Sequence, residues 1–316
     1  MADVTHEPAG TVADELFDKY LLPKAALAVI LAASLVGTAL TLDLTGQWSP
    51  LLALAKWGYF VALGVLFGGL LWKHGFVRPG DVDAATDYCA QMYRRFDRIA
   101  AGALAVLAVT GVALLTVVYA DAPLGLRVAL AVAIGATVST GAIDTLHDAP
   151  VPERFRTAAG VLALAGATVT VALTAITDVS LAGGGAVPAL SRAVHLLAFA
   201  AWVGGAVWNI FVAVPSGQLR PTPPVVRAAG EQLERFRWTV RFVIPTLVLT
   251  GAYQSVDALG TSLATYVGTA VGLAVVAKLA LVAVLFAIFL ACPMWRACSP
   301  IDGVCDLAKM DDEVGD

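Results

Sequence analysis

Charged side chains are scarce in this chain. They make up 14% of its 316 residues, against about 25% in an average soluble domain, which excludes a solvated globular fold. Catalytic signatures are missing as well: no P-loop, no G-x-S-x-G elbow and no H-E-x-x-H helix occurs, so the sequence points to no enzyme. The net charge of −4 supplies no basic footprint for nucleic acid. Histidine, cysteine and methionine number four each, too few for a ligand-rich metal store.

What the chain has instead is hydrocarbon. Hydrophobic residues account for 59%, and they arrive in blocks long enough to span a bilayer core, which takes about 20 apolar residues per helix. Eight such blocks fall near 25–42, 51–72, 99–119, 125–143, 157–177, 190–214, 240–258 and 266–290. The fold class is therefore all-α, a polytopic membrane protein of eight transmembrane helices. The N-terminal tail, residues 1–20, carries Asp3, Glu7, Asp14, Glu15 and Asp18 and lacks the basic start of a secretory signal. The first helix is expected to stay as a permanent span.

Positive loop charge sets the orientation. With the N-terminus inside, only Lys56, Arg127 and Arg192 of the 20 Lys and Arg fall on the outer side, and Lys278 falls within the last span. Both termini are expected in the cytoplasm of a plasma-membrane protein.

The blocks repeat. FGGLLW at 67–72 echoes VGGAVW at 203–208, an offset of 136; RRFDR at 94–98 echoes ERFRW at 234–238, and Thr110–Gly111 echoes Thr250–Gly251, both at 140. Two steady offsets separated by a four-residue indel divide the chain into four-helix units over residues 21–150 and 151–291, with a cysteine-containing cytoplasmic tail at 292–316. Four is even, so both units enter from one side as parallel repeats. Against the 136 offset, His195 lies opposite Tyr59, Trp202 opposite Leu66 and Asn209 opposite Lys73, which weights any site to the second unit.

Within that unit, His195, Trp202 and Asn209 are spaced by seven and share a helix face with Ala198 and Gly205. Gly204–Gly205, like Gly68–Gly69, reads as a point of close helix approach. His195 sits about 7 Å below the outer boundary and is the one histidine in an expected span. It is either a functional ligand or a histidine bonded to a neighbouring helix. Lys278, near the middle of the last span, needs an interior partner: Asp178 or Asp257, or an anionic group on a cofactor. Cys292, Cys298 and Cys305 lie just past the last span beside Met294. Their C-x5-C-x6-C spacing leaves metal binding, lipidation and inert thiols all open. A bis-histidine haem within one chain is not expected.

HLLAFAAWVGG at 195–205, ERF at 234–236, TGAY at 250–253 and AKLALV at 277–282 together resemble the copper resistance protein D (CopD) family, over about 188–290. That resemblance implies an eight-span plasma-membrane protein of copper transport or copper tolerance. It points to His195, Trp202, Gly204, Gly205, Arg235, Phe236, Thr250, Gly251 and Lys278. The expected metal site then comprises His195 with Asp178 and Asp257 at the outer end, the stripe to Asn209 as route, and the three tail cysteines as inner ligands. Copper ion is the expected cargo, with haem b as the alternative cofactor. The expected partners are the lipid bilayer, a periplasmic or extracellular copper-binding protein and further copies of the chain in an oligomer. Methionine departs from a thioether pathway: Met1, Met92, Met294 and Met310 all fall outside the expected spans.

A reporter that is active only in the cytoplasm, fused to the C-terminus, is expected to be active. Silence there would overturn the orientation.

Overall fold

The computed structural model describes residues 21–291 and Ile301, and its long elements are all helices, with no strand among the described residues. Eight of them are long and apolar enough to cross a membrane: α1 (Leu22–Leu44), α2 (Pro50–Leu71), α3 (Thr86–Ala113), α4 (Leu124–Leu146), α5 (Ala158–Leu181), α6 (Ala186–Val207), α7 (Pro223–Leu259) and α8 (Ala270–Ala291). Only helices satisfy every backbone polar group from within one segment in hydrocarbon. The chain is a multi-pass helical membrane protein.

Local chemistry marks the ends. Proline stands in the first turn of α1, α2 and α7, where its missing N–H would have no helical acceptor in any case. Thr157 caps α5 by accepting a 3.0 Å bond from the Gly160 N–H. At the far end of α7, Gly260 takes φ +73°, a left-handed conformation that glycine adopts at little cost.

Two helices outrun their apolar blocks. The stretch 215–239 reads from sequence as a loop rich in proline and arginine, yet from Pro223 onward it is α7. Val225, Val226, Ala229 and Leu233 are buried there, while Arg235 pairs with Glu231 and Arg237 with Glu234. An amphipathic extension of this kind escapes a search for unbroken hydrophobicity. Helix α3 likewise starts at Thr86, which brings Met92, fully buried, inside a helix expected to begin beyond it.

Helices α2 and α6 cross at the centre of the bundle. A Cβ on Gly68 would stand 2.6 Å from the Gly204 Cα and 2.5 Å from the Ala200 carbonyl oxygen, and Gly64 abuts Ala200 one turn away. Each of these residues is 136 positions from its counterpart in the other helix. Phe96 of α3 fills the space over Gly69, and Phe236 of α7 fills that over Gly205. Both crossing helices then loosen into a π turn, Trp72–Phe76 and Trp208–Ala213. The two tryptophans exchange partners between halves: Trp72 packs on Phe236 at 6.0 Å and Trp208 on Phe96 at 5.3 Å between ring centroids. Around this centre α1 packs on α8, α4 on α5, α3 on α2 and α7 on α6.

Replacing Gly68 by Val forces these backbones apart. Overpacking a tight core typically costs about 1–3 kcal/mol, so Gly68→Val should lower the unfolding midpoint in detergent. Gly102→Val, where a side chain meets open space, should leave it near wild type.

Candidate functional site

Two buried polar clusters lie at opposite ends of the bundle, and a third group gathers around His195. At the end that loop charge assigns to the outside, the Asp178 carboxylate of α5 is almost fully enclosed. Its Oδ1 accepts from Lys56 Nζ at 2.6 Å and from the Tyr119 hydroxyl at 3.0 Å; its Oδ2 accepts from Arg192 Nη2 at 3.0 Å. Arg192 also donates to Thr41 Oγ1 at 3.0 Å and to Gln254 Oε1 at 3.4 Å. One carboxylate thus ties α2 to α6 and, through Arg192, to α1 and α7. Sequence reasoning counts Lys56 and Arg192 as outer positive charge. The structure instead places Lys56 within α2 at 2% exposure, where a charge persists only because Asp178 answers it.

At the opposite end Lys73, with 0% exposure, donates to Asp97 Oδ1 at 2.9 Å and Asp144 Oδ2 at 2.8 Å. His74 Nε2 lies 3.2 Å from Asp144 Oδ2, Thr157 donates to Asp144 Oδ1 at 2.6 Å, and Arg154 pairs with Asp97. Arg235 of α7 forms a neighbouring pair with Asp81 at 2.6 Å. The helical run of α2 continues to Phe76, so His74 lies inside it, which corrects the expectation that His195 is the lone span histidine. Paired charges are costly to enclose and hold their partners in a defined geometry. The polar chemistry of the first unit is therefore as dense as that of the second. Sequence reasoning missed it because Lys73, His74, Asp97 and Asp144 all sit at span ends and read as loop-facing residues.

His195 stands apart from both clusters. Its Nδ1 is 2.8 Å from Thr250 Oγ1 of α7, and a Cβ on Gly251 would be 3.6 Å from its Cε1. Among the described residues Nε2 has no hydrogen-bond partner. Lys278 reaches toward α1, where a Cβ on Gly37 would lie 3.2 Å from its Nζ. No acceptor bonds Lys278 among the described residues. Asp178, offered from sequence as its partner, is held by Lys56 and Arg192, while Asp257 is exposed to the surroundings.

The expected stripe below His195 is packed shut. Trp202 is buried, Asn209 Nδ2 donates to the Gly205 carbonyl of its own helix at 2.8 Å, and Phe236 and Trp72 cover Gly205. Cys292, Cys298 and Cys305 lie outside the described residues. Among the described residues no three His, Cys, Asp or Glu side chains come together as a metal-ligand set; Cys89 is buried beside the Asp81 carbonyl, 3.5 Å from its oxygen.

Asp178→Asn strands two buried cations and should cost about 3–5 kcal/mol. Asp257→Asn, at an exposed position, should stay within about 0.5 kcal/mol of wild type. Denaturant titration of both variants in the same detergent measures the difference.

Comparison with known proteins yields one likeness. No curated protein and no solved structure matches the chain. The family model of copper resistance protein D matches residues 230–299, from the first third of α7 through α8 and beyond the described residues. The resemblance read from the sequence starts earlier, at 188; the matched segment holds Arg235, Phe236, Thr250, Gly251 and Lys278 but not His195, Trp202, Gly204 or Gly205 of α6. Over residues 230–299, the last two of its eight spans, the chain is similar to the copper resistance protein D (CopD) family.

Proposed function

We propose that the chain is a plasma-membrane protein of copper transport or copper tolerance, not an enzyme, with the metal handled in its second four-helix unit. One observation carries this reading. Thr250 and Gly251, both within the segment similar to CopD, meet the imidazole of His195 contributed by α6. With Nδ1 engaged by Thr250, Nε2 is the nitrogen available to a ligand, and neutral imidazole is a common donor to copper. Asp178 has no part in this site because two cations already occupy it. The tail thiols Cys292, Cys298 and Cys305 would act at the inner face as soft ligands for Cu(I). A copper-binding protein outside the membrane and an oligomeric assembly fit the same reading.

A second reading draws on the closed stripe from Trp202 to Asn209: the chain serves as a membrane subunit whose small-residue faces pack against partners. The two readings part on metal content. Cells carrying the wild-type chain should differ in intracellular copper from cells lacking it, and His195→Ala should abolish most of that difference. Equal copper in all three strains refutes the transport reading and favours the subunit.

A further inference from the structure

Among the enclosed groups at the outer end of the bundle, positive charge exceeds negative charge. Lys56, Arg192 and Lys278 share one enclosed carboxylate, Asp178, which is bonded to the first two. The other carboxylates near this end, Asp43, Asp121 and Asp257, are exposed and form no ion pair among the described residues. Lys278 is thus a cation within a membrane-spanning helix whose counter-charge the described residues do not supply. Such a residue persists only against a partner or a wet cavity.

The packing shows where a partner would enter. In the first unit α3 and α4 lie against each other, with Ile134 over Gly111 and Tyr59 sealed behind them at 0% exposure. The matching helices of the second unit, α7 and α8, do not pack along each other: α7 leans on α6, and α8 on α1. His195, the residue 136 positions after Tyr59, is correspondingly half-buried rather than sealed, and so is Lys278. Arg192 bridges Thr41 of α1 and Gln254 of α7. Guanidinium and ammonium N–H donors suit the oxygens of an anion.

We propose that the gap between α7 and α8 is a binding site for an oxyanion, a phosphate group held by Lys278 and Arg192 with His195 beside it. The group enters either as the head of an anionic lipid, from the membrane side of the gap, or as free phosphate from the outer face. The inference does not rest on the copper reading, because the uncompensated charge is present whether or not copper passes. It also tempers that reading: a bare metal cation beside His195 is repelled by two like charges until an anion offsets them.

Native mass spectrometry of the purified full chain tests the site in three arms: titration with phosphatidylglycerol, with phosphatidylcholine, and with inorganic phosphate at matched ionic strength. Wild type should retain one phosphatidylglycerol or one phosphate at least tenfold more tightly than Lys278→Met, with Lys278→Arg restoring retention. Which of the two is retained identifies the source. Lys278→Gln replaces the methionine variant should that one not purify as a single species, and size-exclusion profiles certify the fold of each. Equal retention by wild type and the uncharged variant, or preference for phosphatidylcholine, or no retention in any arm, overturns the proposal.

Discussion

Where Gly68 meets Gly204, two helices approach so closely that neither position tolerates a Cβ. Between helices in lipid there is little hydrophobic drive toward association, so close van der Waals contact has to supply the attraction. This crossing brings α2 and α6 together along most of their buried length, and the remaining features are positioned by it. Phe96 and Phe236 occupy the two spaces left by Gly69 and Gly205, and Trp72 and Trp208 reach across to the opposite phenylalanine. Lys56 and Arg192, 136 positions apart like the glycines, arrive on either side of one carboxylate because their helices are already held in register.

The same crossing separates the two halves chemically. At the inner end of the bundle every enclosed charge has a partner: Lys73 with Asp97 and Asp144, Arg154 with Asp97. A network of that kind fixes geometry and has no charge left for a ligand. At the outer end helices α7 and α8 do not pack along each other, and Lys278 has no bonded counter-charge among the described residues.

Much of the candidate site was hidden from a linear reading for a definite reason. His195 and Lys278 were legible because an imidazole or ammonium deep in an apolar run is conspicuous. Lys56, Lys73 and Asp144 were not, because each lies near the end of a run, where charge is ordinarily solvated. The amphipathic start of α3, which brings Asp97 and Tyr93 to Lys73, leaves no apolar block to detect. Asp178 reads from sequence as one of several possible partners of Lys278 and as a metal ligand, since proximity along the chain does not single out Lys56, its partner 122 residues away.

The sequence by itself determined the number of spans, their apolar lengths and the positions at which helices come close. Each of those properties depends on residues a few turns apart, and the bilayer imposes the same length on every span. Only the tertiary structure decided which charges meet. Pairing of Lys56 and Arg192 with Asp178, the contact of Thr250 with His195, and the packing of α7 on α6 and of α8 on α1 all depend on the depth and rotation of whole helices relative to one another. That relation is set by the sum of packing contacts across the bundle, and no local pattern encodes it.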